Sequence, residues 1–123
     1  MIEPVDQRLF RCDYSDIALL GKAVARRHWR PVGFAMHAAN GAAFGLAFHT
    51  LRRRTGAPPR RLAVAAALAE HVALYPLLYF VDRFHPARGE PGVPRLLTNR
   101  RAFGQATLRH AVFGAVLGRL ARS

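Results

Sequence analysis

VGFAMHAANGAAFGLAFHTL, residues 32–51, is the stretch that decides the fold. It contains no Asp, Glu, Lys or Arg. As a helix rising about 1.5 Å per residue it reaches about 30 Å, the thickness of a bilayer's hydrocarbon core. Small residues crowd one side of it: Ala35, Ala38, Ala39, Ala42 and Ala43, with Gly41 and Gly45 forming a GxxxG pair that lets a second backbone approach closely. Arg52, Arg53 and Arg54 end the stretch, and Gly56-Ala57-Pro58-Pro59 turns the chain. Yet its centre holds His37 and Asn40. Polar groups at membrane depth are costly, so they face a partner, a cavity or a ligand.

Two further stretches repeat the pattern. Residues 62–81 carry Glu70 and His71 mid-way and close on Tyr75, Tyr79 and Phe80; residues 102–118 carry Gln105, Arg109 and His110. Pro76 removes an amide donor and clashes with the Val72 carbonyl, which predicts a kink near 72–76 and a freed carbonyl facing the same polar interior. A second GxxxG pair, Gly114 and Gly118, lies in the last stretch.

Working outward, residues 1–12 read as an irregular arm. A helix over 13–29 is capped by Asp13 or Ser15, has Asp16 in its first turn, and ends in Arg26, Arg27 and His28. Its short apolar stripe of Ile17, Leu20 and Val24, interrupted by Lys22, predicts an interfacial amphipathic helix, with Trp29 at headgroup level. Residues 82–98 hold Pro86, Gly89, Pro91, Gly92 and Pro94 and form a loop; Thr98 or Asn99 caps a last helix over 99–119. The expected fold class is an all-α integral membrane helical bundle: three transmembrane helices, 32–51, 62–81 and 99–119, plus the N-terminal interfacial helix, in one domain of 123 residues.

Mean hydropathy is only +0.03. The 19 Lys and Arg lower it, and nearly all of them lie between the apolar stretches. A net charge of +12 can signal a nucleic-acid partner. Here the basic residues flank helix ends instead, as in chains that anchor at anionic lipid headgroups, so the bilayer is the expected partner and nucleic acid the weaker alternative. The long uncharged faces also fit a water-soluble bundle badly. The acidic Met1–Asp6 start lacks the apolar core of a signal peptide, which leaves the first span to act as an uncleaved insertion signal. The expected location is a plasma membrane, multi-pass, with the arginine-rich turn 52–61 on the cytoplasmic side.

His37, Asn40, Glu70, His71, Gln105, Arg109 and His110 form the expected interior polar cluster. Glu70 and Arg109 are the natural ion pair. His37, His71 and His110, one per segment and with Glu70 beside them, are candidates for a metal ion or haem, for proton relay, or for plain hydrogen bonding between helices. No HExxH or CxxC spacing supports a metal site, and no cofactor is specified. Cys12 is the single cysteine. Ser15 and Ser123 sit in no nucleophile elbow, and Glu70 is the only acid within any span, which weighs against hydrolase, kinase and glycosidase chemistry.

The motif H-x-x-N-G-x-x-F-G from His37 to Gly45, together with R-H-x-x-F-G-x-x-L-G from Arg109 to Gly118, resembles small uncharacterised bacterial inner-membrane proteins of the YagU-like sort. The resemblance covers two of the three spans and implies membrane location; it transfers no catalytic residue. The functional expectation is a small polytopic membrane protein whose polar cluster binds an ion, proton or small ligand. The alternative is an accessory subunit that pairs through its GxxxG faces with a second copy or a larger complex.

Overall fold

Pro4 near its start and Arg11 in the left-handed conformation (φ 50°) at its end bound a first helix, α1, at Glu3–Phe10. The expected irregular arm is therefore helical. Glu3 and Asp6 in the first turn suit the helix dipole. The computed structural model describes residues 2–121, and no strand occurs among them. Five more helices follow: α2 Asp16–Val24, α3 Trp29–Thr55, α4 Pro59–Leu74, α5 Leu78–Phe84 and α6 Arg100–Leu120, with a single 3₁₀ turn, Tyr75–Leu77, between α4 and α5.

Ser15 caps α2, its hydroxyl accepting from the Ala18 amide at 3.2 Å. The helix ends at Val24, short of the expected last turn at 26–28. Nor does α2 stand apart as a surface helix: it folds back on the start of α3 as a tight hairpin, with Ala18 and Gly21 buried. The reason is glycine. A Cβ on Gly21 would lie 1.9 Å from the Trp29 carbonyl oxygen, and one on Gly33 would lie 2.0 Å from that of Ile17. No other residue permits backbones this close.

The second tight pair is α4 with α6. A Cβ on Gly114 would meet the Ala63 carbonyl oxygen and Val64 Cα at 2.8 Å, and one on Gly118 would meet Arg60 Cα at 2.6 Å. The Gly114–Gly118 motif is thus a helix-packing face within the chain. The Gly41–Gly45 motif is not, because nothing lies within 4 Å of a Cβ at either position.

Pro76 breaks the helix where expected, in the Tyr75–Leu77 turn. The Val72 carbonyl is not freed by the break, however. The Tyr75 amide donates to it in a tighter turn.

The segment after α5 is an ordered cap. Asp82 accepts from the amides of Leu96 (2.8 Å) and Leu97 (2.9 Å). The Ala87 amide donates to His85 Nδ1 at 3.0 Å, so Nε2 carries the proton and donates to the Leu19 carbonyl at 2.8 Å. Asp13 accepts from the Gly92 amide at 2.8 Å. Ala87, Val93 and Leu96 are buried against α2 and its flank. Glu90 pairs with Lys22 at 3.4 Å and with Arg26. Burial pushes the Glu90 carboxyl up, but the Lys22 and Arg26 donors and charges outweigh it and hold the carboxyl below its ordinary value.

Large apolar side chains face outward on every long helix: Leu46 is 72% exposed, Val72 62%, Phe80 55% and Val116 52%. The continuous Pro59–Phe84 element is long and apolar enough to cross a membrane, with mean hydropathy 1.6. A core helix of a soluble domain passes the same test but is mostly buried; here only 11% of the apolar window is. Among the described residues it alone passes. His37 and Asn40 in α3, and Gln105, Arg109 and His110 in α6, depress the hydropathy of those helices.

Candidate functional site

Arg109 donates hydrogen bonds to four oxygens, none of them from Glu70. Its Nε donates to Asp6 Oδ2 at 2.6 Å. One terminal nitrogen donates to Asp6 Oδ1 and to the Tyr14 carbonyl, both at 2.8 Å, and the other to Asp16 Oδ2 at 3.0 Å. Glu3 lies at 3.6 Å, and the guanidinium sits 5.1 Å from the centre of the Tyr14 ring. The expected Glu70–Arg109 pair is therefore corrected: the N-terminal helices supply the carboxylates. The bidentate fork to Asp6 is the geometry a carboxylate matches best.

Gln105, expected in the interior cluster, sits behind this network. It is fully buried and donates from Nε2 to Asp6 Oδ1 at 2.9 Å, leaving its own Oε1 without a donor among the described residues. A bond to an ionised carboxylate outweighs a neutral one, which explains the choice of donor over acceptor. Glu3 accepts from Ser15 Oγ at 3.0 Å and from the Asp16 amide at 3.1 Å, tying α1 to the start of α2. Tyr14 donates to Asp16 Oδ1 at 2.6 Å. Burial first, and then the Asp16 charge, raises the Tyr14 phenol well above its ordinary value, so it stays a donor.

Glu70 has a different neighbour, His110, whose Nε2 lies 3.9 Å from Oε2. His110 Nδ1 donates to the Ala106 carbonyl at 2.7 Å, the bond back to its own helix. His71 stacks on His110 with ring centres 4.9 Å apart and on Phe103 at 4.8 Å. Thr107 Oγ1 donates to the Phe103 carbonyl at 2.8 Å, so at 3.0 Å it accepts from His71 Nε2. The hydrogen bonds thus assign the tautomer of each ring in its neutral form.

These groups meet at one cavity of about 480 Å³. It exists because α3 packs tightly only on α2 and touches the α4–α6 pair sparsely, through contacts such as Phe44 edge-on to Phe113 at 5.3 Å and Arg52 to the Ala121 carbonyl. His37 and Asn40 line it from α3, Glu70 and His71 from α4, Arg109 and His110 from α6, and Glu3 and Asp16 from the N-terminal helices. Leu, Val and Phe side chains form most of the remaining wall. Six of the seven expected cluster residues therefore share one cavity. They do not form a metal centre: among the described residues no three His, Cys, Asp or Glu side chains are grouped closely enough to hold a metal ion, so the His37–His71–His110 set with Glu70 is not assembled as a ligand shell.

Sequence reading missed Glu3, Asp6, Tyr14 and Asp16. A signal for them is present: four of the seven acidic residues, Glu3, Asp6, Asp13 and Asp16, fall in the first sixteen positions of a strongly basic chain. Comparison with known proteins finds no matching family model, no similar curated protein and no similar solved structure.

Proposed function

We propose that this chain is a polytopic helical membrane protein whose half-open cavity binds a small ligand with a polar group and an apolar body. α3, the α4–α5 element and α6 span the bilayer, and the arginine clusters at their ends meet anionic headgroups. What supports the lipid setting is the outward-facing apolar surface of all three together with the sparse burial of Pro59–Phe84. The single observation that carries ligand binding is the cavity: polar residues from α3, α4 and α6 line one space of ligand size with apolar walls. Arg109 anchors the architecture, because its charge is already met by Asp6 and Asp16.

Alkaline carbonate extraction of expressing cells tests the setting. The chain stays in the membrane pellet; its release into the supernatant rejects the proposal. Ala106→Trp, which fills the cavity, abolishes saturable binding of small ligands while the protein still inserts.

A second reading rests on the open Gly41–Gly45 face, where nothing lies within 4 Å of an added Cβ. In that reading a second copy or a partner subunit packs there. Gly41→Leu then dissociates an assembly that the wild type forms; a wild type that is monomeric in mild detergent removes it.

A further inference from the structure

We infer that the ligand of this cavity is an organic amine: a protonated ammonium group that donates hydrogen bonds, carried on an apolar tail. The inference rests on the ligand-binding reading above and names the chemistry of its ligand.

Charge segregation points this way first. The chain has 19 Lys and Arg against 7 Asp and Glu. Its cavity reverses that balance: Glu3, Asp16 and Glu70 line it, with Arg109 as the one lining cation among the described residues. Arg109 is shared among Glu3, Asp6 and Asp16, three carboxylates around one guanidinium. The Glu70 carboxylate has no hydrogen bond among the described residues, and the one ionisable group within 4 Å of it is His110 at 3.9 Å, too far for a hydrogen bond. A cation entering the cavity therefore meets one carboxylate, Glu70, that the protein leaves without a hydrogen bond, beside apolar walls that screen such attraction less than bulk water does.

The tautomers point the same way, independently of charge. His71 spends its Nε2–H on Thr107, which leaves Nδ1 as a lone-pair acceptor. His110 spends its Nδ1–H on Ala106, which leaves Nε2 as an acceptor. With the Glu70 carboxylate they make three acceptors, on two stacked rings and an adjacent acid, and no donor among them. An ammonium group supplies up to three donors and a positive charge from one small centre. A carboxylate or phosphate ligand would meet only acceptors at these three groups, and the lining Arg109 guanidinium is already engaged by Asp6, Asp16 and the Tyr14 carbonyl. A bare metal ion finds no group of three ligands here. Tyr75, Phe103 and Phe113, also in the lining, suit both an apolar tail and a cation over an aromatic face.

The test uses the full chain in lipid nanodiscs, titrated calorimetrically with octylamine, octanol and octanoate, with empty discs subtracted. Octylamine is expected to bind saturably and at least about tenfold more tightly than the other two, a difference of about 1.4 kcal/mol. Glu70→Gln is expected to weaken octylamine about tenfold and to leave the thermal midpoint unchanged. His110→Gln, on the neighbouring helix, gives the same reading should Glu70→Gln fold poorly. Octanol or octanoate binding as tightly as the amine, or both variants binding the amine as well as wild type, overturns the amine assignment and leaves the cavity as a ligand site. Saturable binding by none of the three overturns the ligand-site reading as well.

Discussion

Removing the Arg109 guanidinium tests which carboxylate it serves. The Asp6 side chain is 0% exposed and that of Arg109 9%. Arg109→Met keeps the length and apolar stem but strands Asp6 among buried groups, with the Gln105 amide as its remaining side-chain donor. Breaking a buried pair from one side costs about 3–5 kcal/mol, because the surviving charge keeps its desolvation penalty. Two of three bonds to Asp6 come from this one residue, so the upper half of that range is expected. Glu70→Gln disturbs no hydrogen bond and is expected within about 0.5 kcal/mol of wild type. The assay is a double-mutant cycle by denaturant or thermal unfolding in a fixed detergent, pairing Arg109→Met with Asp6→Asn and, separately, with Glu70→Gln. Coupling of about 1.5–3 kcal/mol is expected for Asp6–Arg109 and none beyond error for Glu70–Arg109. The reverse pattern, strong coupling to Glu70 and none to Asp6, refutes the placement of α1 against α6.

The two glycine motifs predict opposite signs. Gly114→Ala destabilises by about 1–3 kcal/mol because its Cβ meets backbone at 2.8 Å, while Gly41→Ala stabilises by about 0.5–1 kcal/mol through helix propensity alone; unfolding midpoints in one detergent separate them. Asp82→Ala removes the acceptor for the Leu96 and Leu97 amides, and hydrogen exchange at those two amides accelerates while α4–α6 protection holds. Glu90 binds fewer protons folded than unfolded, since Lys22 and Arg26 lower its carboxyl. Docking of the 85–99 segment on α2 therefore keeps this contribution above the ordinary glutamate range and loses it as pH falls through the lowered value. Exchange at the loop amides across an acid series reads this, and Glu90→Gln flattens the response.

Local chemistry made several elements readable in advance. Asn99 caps α6, accepting from the Arg101 and Ala102 amides at 3.1 Å, and Ser15 caps α2; both are short-range side-chain preferences. The break at Pro76 follows from a missing donor and a ring clash within one turn. The helical character of the three apolar stretches is a matter of composition and length. His37, Asn40, Glu70, His71, Arg109 and His110, one pair per apolar stretch, also line one cavity, with His37 and Asn40 still exposed.

Periodicity did not reach the pairings. Glu70 and Arg109 are matched by charge and by depth, yet Arg109 turns to Asp6 and Asp16, more than ninety residues earlier in the chain. Nothing local distinguishes one carboxylate from another. Likewise Gly41–Gly45 and Gly114–Gly118 are the same motif, and only the second meets a backbone. What the sequence determined by itself is everything that acts within a few residues: helix, cap, kink, apolar length and the presence of buried polarity. Which partners those polar groups take was decided by tertiary structure. That choice depends on where two glycine contacts, Gly21 against Gly33 and Gly114 against Ala63, let helices close, and on the cavity left between α3 and the α4–α6 pair.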